Sequence, residues 1–467
     1  MGDWTHPREV KKVNILTLNK KITDRQRQTF WLAFMLFNLC VQSVQIIAFA
    51  WAAFFPPEVF FALNLLALGI SLGKGVFEKK NVYLLGLCFI AWYTVCWFVK
   101  TGGSFFRETG MNAIALLISS WGLALPFVTV TGDFDKKRAL NIILSVLTAA
   151  LTIVVWAALI PTLMRTSFTL PGDKLFGITE VYSEWEPVKY KYPVMFGLNS
   201  YYTAYLSVLG FFMALYLYVQ KKMRPLLLFG MLGFLLSISL TKCRLALLGL
   251  CLGLFTVGIF LFRNKNRDAS PQKTILTGVV LVLAVAAGLT LMWRFSNRAS
   301  GYILAERHTD QIKRAFTEKL RDGNARFGLW VMIPDMLKEY ATAGYLFGIR
   351  EDILYPLVLE LKNMCHMHSG YLSALVLMGI PGFLMSLVFL FKTVKDLLTI
   401  FLKMKTHNIS PENILLFSIP VCFLFAALGE PILFVGYNFR MITLVCYLVS
   451  GYIFELADRV RKEEQAR

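Results

Sequence analysis

The sequence predicts an all-α polytopic membrane protein. Of its 467 residues, 57% are apolar and only 16% are charged. Apolar runs of about 17 to 25 residues recur along the chain, and this is the length that crosses a hydrocarbon core of about 30 Å. Because lipid offers no hydrogen-bond partners to backbone N–H and C=O groups, such runs must form helices.

The hydropathy pattern predicts about twelve transmembrane helices. Their expected ranges are 30–54, 58–73, 82–99, 111–130, 139–161, 200–219, 225–241, 245–262, 275–293, 369–391, 413–428 and 438–454. The first run is too long for the apolar region of a signal peptide and ends in no small-residue cleavage site. We therefore expect an uncleaved first span.

These spans divide the chain into five parts. They are a cytoplasmic N-terminal tail (1–29), spans one to nine with a long outer loop at 162–199 (30–293), a large helical outer loop (294–368), spans ten to twelve (369–454) and a cytoplasmic tail (455–467). The orientation follows from Lys and Arg, which favour cytoplasmic connections. With the N-terminus inside, 28 of the 48 Lys and Arg residues lie on the inner face, although the longest loop is outside.

The net charge of +19 therefore reflects membrane topology, and no nucleic-acid partner is needed to explain it. Both long outer loops have features of their own. The loop 162–199 contains VYSEWEPVKYKYP, whose aromatic residues suit the membrane interface or stacking on sugar rings. The loop 294–368 has apolar residues at helical spacing, which predicts two or more amphipathic helices and argues against disorder.

Two groups of cations stand where the outer face should be poor in cations. Arg244 begins a span after the tight connection SLTKCR, which also holds Lys242. Arg244 is either a helix-end cation that reaches for the interface or a group that binds an anion. Arg326 lies four residues before Trp330, on the same helical face. It belongs either to a solvated helix face or to the same anion site.

The third unusual place is HMHSGYLSALVLMGIPG, which holds two of the five histidines at the start of span ten. A helix N-terminus disfavours a protonated histidine, so His368 would keep a neutral imidazole that can accept a proton near neutral pH. The alternative is a polar cap at the interface. His366 and His368 do not share a helical face, and no further ligand cluster accompanies them, so we expect no metal and no other cofactor.

The cysteines are mostly small apolar residues within spans. Cys243 and Cys365 differ, because both fall at the predicted outer surface. A disulfide between them would depend on a Cα separation that the sequence does not supply.

Together these motifs resemble the O-antigen ligases, which share a superfamily with the O-antigen and exopolysaccharide polymerases. His368-Ser369, nine residues, and Gly379-Ile380-Pro381-Gly382 match the ligase pattern H-[NSQ]-x9-G-x-x-[GTY]. The SLTKCR hairpin is similar to the superfamily's serine/arginine turn, with Cys243 where Ser is common. NARFGLW resembles its outer-loop Arg followed by Trp.

The resemblance implies an inverting, metal-independent glycosyltransferase of lipopolysaccharide biosynthesis, in the bacterial inner membrane, with the active site and the loop 294–368 in the periplasm. The donor would be a glycan on undecaprenyl pyrophosphate, its prenyl chain held among membrane lipids. The acceptor would be lipid A–core for a ligase, or a lipid-linked repeat unit for a polymerase. Arg244 and Arg326 would bind the donor pyrophosphate, and His368 would be the catalytic base. Further candidates are Lys242 and Arg321 for the anion, and Glu430 as an acid, a base or the partner of an Arg.

Two other function classes compete with this one. A transporter or flippase would predict inverted repeats and broken helices near the midplane, but the sequence shows no paired interrupted segments, and its unusual cations gather at one surface. A non-catalytic scaffold leaves the Arg244, Arg326 and His368 constellation without an explanation. Within the superfamily, the His368 motif and the span count favour a ligase over a polymerase.

Overall fold

The computed structural model describes most of the membrane bundle and parts of the loops. The described residues are 24–47, 57–73, 81–101, 108–127, 135–164, 166–170, 174–183, 186–194, 200–220, 224–241, 243–266, 323–339, 341–349, 368–434 and 440–466, with isolated positions between 273 and 288.

Fourteen α-helices are formed by these residues. They are α1 (Asp24–Ile47), α2 (Pro57–Gly73), α3 (Asn81–Thr101), α4 (Glu108–Leu117), α5 (Lys136–Leu163), α6 (Ser200–Val219), α7 (Arg224–Thr241), α8 (Arg244–Lys265), α9 (Gly323–Glu339), α10 (Ala341–Phe347), α11 (Gly370–Lys403), α12 (Pro411–Leu416), α13 (Ser418–Ala426) and α14 (Arg440–Gln465). The helices α9 and α10 lie in the loop 294–368, where two or more helices were expected, and the rest of that loop is outside the described residues.

Seven of the described helices are long and apolar enough to cross a membrane, namely α3, α5, α6, α7, α8, α11 and α14. Shorter apolar helices lie within α1, within α2, at the end of α4 and across α12 and α13. A polytopic helical membrane protein is therefore confirmed. Eleven of the predicted spans coincide with helices, whereas the ninth falls mostly outside the described residues. The total of twelve stays a prediction.

An aromatic cluster at the centre of the bundle joins four spans. The helix α4 continues into a buried π-helix, Ile118–Ala124, which holds Trp121. The Trp121 ring lies 4.4 Å from Phe89 of α3, 5.1 Å from Phe389 of α11 and 4.7 Å from Tyr447 of α14, between ring centroids. Such offset and edge-on contacts add to the stabilisation from burying large rings.

The long loop 162–199 contains a small sheet that the sequence analysis did not predict. Three antiparallel strands, β1 (Ser167–Leu170), β2 (Lys174–Ser183) and β3 (Glu186–Val194), lie in the order β1-β2-β3. Two prolines, Pro187 and Pro193, lie within β3. They are tolerated because β3 is an edge strand, where one backbone face needs no N–H donor. The all-α description therefore applies to the membrane helices and not to this loop.

Segments predicted to be cytoplasmic meet at one end of the bundle. Lys136 contacts Glu455 at 3.3 Å, and Lys137 contacts Glu412 at 2.8 Å. The buried carboxylate of Asp396 contacts Arg461 at 2.8 Å. This meeting is what the predicted alternation of the spans requires, and these ion pairs tie α5, α11, α12 and α14 together.

The helix α11 is broken near its N-terminal third. Gly379 has φ 67° and ψ −170°, a conformation that side chains with a Cβ rarely adopt. Pro381, two residues later, has no N–H to donate to the carbonyl oxygen of Leu377. The G-x-x-G part of the His368 motif is thus a helix break, which divides α11 into an outer half-helix (370–378) and a long inner part.

Candidate active site

His368 begins the outer half-helix in a strained conformation. Its φ is +49°, one of only two positive values at non-glycine residues in the described part of the chain. The next residue, Ser369, caps the helix, since its hydroxyl oxygen accepts from the N–H of Leu372 at 3.3 Å. Positive φ values at bulky residues persist only where the surroundings impose them, and they cluster at functional sites.

The surroundings of His368 are provided by the turn that follows α13. The N–H of Gly370 donates to the carbonyl of Ala427 at 2.7 Å, and the Ser369 hydroxyl donates to the same oxygen at 3.3 Å. A Cβ on Gly370 would lie 2.2 Å from the carbonyl oxygen of Ile432, so only glycine allows this approach. The start of α11 is therefore fastened to the turn 427–434.

That turn places a carboxylate beside the histidine. Glu430 Oε2 lies 3.9 Å from His368 Nδ1. The Glu430 side chain is 7% exposed and that of His368 is 21% exposed, so the histidine reaches solvent more than its neighbour. The distance is too long for a hydrogen bond but suits an ion pair once the imidazole is protonated. The pair can accept a proton at His368 and stabilise the resulting charge with Glu430.

The hairpin between α7 and α8 lies next to Glu430. Cys243 is 2% exposed, and Arg244, the first residue of α8, is exposed. The pKa of the Cys243 thiol is raised to about 11, chiefly by burial. The nearby charge of Glu430 contributes to the rise, and a backbone hydrogen bond from Ala246 opposes it. The charge of Glu430 thus acts on Cys243, and its carboxylate lies beside His368, so the SLTKCR hairpin and the His368 turn lie at the same end of the bundle.

Close packing of α8 on α13 brings these segments together. A Cβ on Gly249 of α8 would lie 2.8 Å from the sulfur of Cys422 in α13, so the two helices approach more closely than larger residues would permit. Small residues at such contacts are typical of helix pairs in membranes. Cys243 itself is a free thiol, and Cys365 lies outside the described residues.

Several predicted site residues lie outside the described part of the structure. The backbone of Arg326 is helical, within α9, as its spacing to Trp330 predicted, but its side chain is not described. Lys242, Arg321 and His366 fall outside the described residues altogether. The approach of the Arg326 side chain to His368 therefore stays a prediction.

Two residues at this end of the bundle were missed by the sequence analysis. The buried Tyr205 of α6 lies beside the Cys243 thiol and within range of the charge of Glu430. Arg440, the first residue of α14, is close enough to Tyr202 for its charge to act on the phenol. A signal was available for Arg440, because it is a cation at the start of a span on the cation-poor face, the same criterion that selected Arg244.

Among the described residues, no group of three or more His, Cys, Asp or Glu side chains is arranged to hold a metal ion. The imidazole of His368 and the carboxylate of Glu430 lie together and suit proton transfer, and an exposed arginine, Arg244, suits an anionic ligand.

Comparison with known proteins gives one family. Residues 229–387 match the family model described as O-antigen ligase. The matched range contains Arg244, Arg326, His368 and the break at Gly379, and it ends before Glu430. No curated protein matches the chain.

Proposed function

We propose that this protein belongs to the O-antigen ligase and polymerase superfamily, whose O-antigen ligase model matches residues 229–387, and that it transfers a glycan from undecaprenyl pyrophosphate to a sugar hydroxyl of lipid A–core. The reaction would take place at the periplasmic face of the bacterial inner membrane. One observation supports the proposal most directly, namely that Glu430 lies 3.9 Å from His368 and is close enough to Cys243, the residue before Arg244, for its charge to act on the thiol. A cation for the donor and a base for the acceptor thus come from one end of the bundle.

The donor would be held through its pyrophosphate. Two phosphoryl groups at the membrane edge are matched by guanidinium groups, which bind phosphate oxygens in a bidentate manner. Arg244 is exposed at the start of α8, and Arg326 lies on the loop helix α9. Both would stabilise the negative charge that grows on the pyrophosphate as it leaves. Lys242, Arg321 and Arg440 are further cations for the same anion.

His368 would act as the general base. As the acceptor hydroxyl attacks the anomeric carbon, its proton passes to the imidazole, a new glycosidic C–O bond forms, and the bond from the anomeric carbon to the pyrophosphate oxygen breaks on the opposite face. The configuration at that carbon is therefore inverted. Glu430, 3.9 Å from Nδ1, stabilises the imidazolium that results. The leaving group is already activated, so neither a nucleotide nor a metal ion is required.

A polymerase is the alternative within the superfamily. It would use the same donor chemistry and differ only in taking a second lipid-linked repeat unit as acceptor. We favour the ligase because the His368-Ser369 to Gly382 spacing fits the ligase pattern. A transporter is the less supported class. In a transporter, discontinuous helices leave backbone carbonyls free to bind substrate ions. Here the carbonyls of Leu377 and Met378, at the Gly379 break, accept hydrogen bonds from the side chains of Lys100 and Trp92.

The proposal is tested with the purified protein in detergent or nanodiscs. The protein is incubated with undecaprenyl-pyrophosphate-linked glycan and either lipid A–core or a second portion of lipid-linked repeat units. We expect a glycan attached to lipid A–core, with release of undecaprenyl pyrophosphate. Longer lipid-linked chains without modified lipid A–core would instead indicate a polymerase. If undecaprenyl pyrophosphate is released but neither acceptor gains a glycan, glycosyl transfer of either kind is contradicted. The absence of any release would contradict it as well.

A further inference from the structure

The break at Gly379 leaves three carbonyls of α11 without their usual helical partners. In a continuous helix, the oxygens of Val376, Leu377 and Met378 would accept from residues 380, 381 and 382. The left-handed backbone at Gly379 turns those N–H groups away, and Pro381 has none. An unsatisfied carbonyl within a membrane protein costs several kcal/mol, so donors from elsewhere are required.

All three oxygens receive donors from two other segments. The backbone N–H of Ile349, just after α10, donates to Val376 at 2.6 Å. From α3, the indole N–H of Trp92 donates to Met378 at 2.9 Å. The ammonium of Lys100 donates to Leu377 and also to the carbonyl of Ile349, the latter at 3.3 Å.

Lys100 is therefore the one described side chain that donates to both sides of this junction. It joins the C-terminal end of the half-helix 370–378 to the end of α10. A cation at a helix C-terminus is also favoured by the helix dipole. These two hydrogen bonds also explain why the charge of Lys100 is tolerated at the end of α3, which is otherwise apolar.

The junction is too tightly packed to accept larger residues. A Cβ on Gly379 would lie 2.2 Å from the carbonyl oxygen of Leu346, and one on Gly348 would lie 2.4 Å from that of Val376. Trp92 also stacks on Phe347 of α10, with 5.6 Å between ring centroids and 18° between planes. The close contacts at Gly348 and Gly379 and the stacking of Trp92 on Phe347 therefore fix the spacing of α3, α10 and α11 at this junction.

This junction connects the two parts of the proposed reaction site. The half-helix 370–378 is nine residues or about 13 Å long, and His368 lies directly before its N-cap, Ser369. The other partner, α10, follows α9 after a single residue, and α9 carries Arg326. A shift at the junction would therefore move the base relative to the donor-binding loop.

We propose that Lys100 is a positioning residue, which fixes the half-helix that carries His368 against the loop helices α9 and α10. The proposal deepens the function proposed above and rests on it for its kinetic part. Lys100 need not touch substrate. Its ammonium lies between two backbone carbonyls, those of Leu377 and Ile349, where a transporter would bind a cation, so the break here holds two segments in register.

The variants are Lys100→Met, which removes the charge and keeps the length, and Lys100→Arg, which keeps donors for both carbonyls. We expect Lys100→Met to lower kcat about 10- to 100-fold with little change in the donor KM, because a misplacement of about 1 Å costs a rate factor of this size. Lys100→Arg should recover most of the loss. Lys395→Met, an exposed lysine of the inner part of α11, is the matched control and should behave as wild type.

The second readout is hydrogen exchange of the peptide that contains Ile349, measured on the full protein without substrate. The Ile349 amide should exchange at least about tenfold faster in Lys100→Met, while peptides from α14 keep their wild-type rates. If Lys100→Met does not fold, Trp92→Phe replaces it. This variant loses the donor to Met378 but keeps a ring to stack on Phe347, and it should show smaller changes of the same sign.

Unchanged exchange at Ile349 would overturn the proposal, whatever the activity. Faster exchange with an unchanged kcat would also overturn it, because the junction would then not position the site. A wild-type protein without transferase activity would instead contradict the proposed function, and the exchange comparison would still decide whether Lys100 holds the junction together.

Discussion

His368 Nδ1 lies 3.9 Å from Glu430 Oε2, although the two residues are 62 positions apart in the chain. The contact joins the start of α11 to the turn after α13, and both segments adopt unusual backbone angles there. His368 has φ +49° and Leu433, three residues after Glu430, has φ +79°. Two neighbouring turns thus hold strained conformations that present an imidazole and a carboxylate to each other.

If Glu430 assists His368, the two residues must act as a unit. We expect Glu430→Gln to lower kcat about 10- to 100-fold, which corresponds to about 1.4 to 2.7 kcal/mol of transition-state stabilisation. In a His368→Ala background, the same substitution should have almost no further effect. Kinetics of the two single variants and the double variant measure the coupling. Fully additive losses would show that Glu430 acts independently of His368. Glu412→Gln, at the other end of the bundle, is the control.

The break in α11 should depend on glycine at position 379. Gly379→Ala introduces a Cβ 2.2 Å from the Leu346 oxygen and forces a positive φ on alanine. We expect a loss of at least about 1 to 3 kcal/mol of stability from the backbone strain, and more from the steric clash. Gly69→Ala is the matched control, because a Cβ there meets nothing within 4 Å, and alanine favours the helix. Thermal unfolding in detergent compares the two, and equal unfolding temperatures would be incompatible with this account of the break.

The ion pairs at the other end should stabilise the fold and leave the chemistry intact. Asp396 is 1% exposed and contacts both Lys392 and Arg461. Arg461→Met removes one partner of this buried carboxylate, and we expect a loss of about 1 to 3 kcal/mol of stability. The exposed Arg459 provides the control, with an effect of Arg459→Met within about 0.5 kcal/mol. Thermal unfolding temperatures of both variants test this, and a larger effect at Arg459 would refute it.

The Cys243 thiol should be unreactive in the folded protein. With a pKa of about 11, about one thiol in a thousand is ionised at pH 8, and the side chain is also 2% exposed. We expect iodoacetamide to leave Cys243 unmodified at pH 8 and to modify it fully after denaturation, as read by mass spectrometry. The reaction should accelerate only as the pH approaches 11, since a raised pKa delays thiolate formation. Rapid alkylation of the native protein at pH 8 would contradict the buried position of Cys243.

The sequence was sufficient for features that depend on local patterns. Apolar runs predicted the helices α2, α3 and α5 to α8 to within three residues at each end, because a membrane span must satisfy its own backbone. The span predicted at 111–130 was less accurate, since α4 ends at Leu117 and the π-helix Ile118–Ala124 follows it. The position of His368 at a helix start and of Arg244 at the beginning of α8 also followed from local sequence. The two loop helices α9 and α10 agreed with the apolar spacing in 294–368.

Features that depend on distant contacts could not be predicted in the same way. The pair of His368 and Glu430 requires Gly370 to dock on Ala427, a contact that no periodicity encodes. Gly379 was recognised as part of a motif, but its role as a helix break depends on donors from Trp92, Lys100 and Ile349. The sheet of 167–194 was not predicted, because it depends on pairing among three strands, and the edge strand β3 contains prolines that a central strand would not accept.

The central claim is that His368 is the base of a glycosyl transfer. Its most direct test is the rate of glycan transfer from undecaprenyl-pyrophosphate-linked donor to lipid A–core by purified wild-type and His368→Ala protein. The matched control is His407→Ala, a buried histidine beside Glu463 at the opposite end of α11. We predict that His368→Ala lowers kcat at least about 100-fold while donor binding persists, and that His407→Ala retains transfer. Wild-type kcat in the His368→Ala protein would contradict the account.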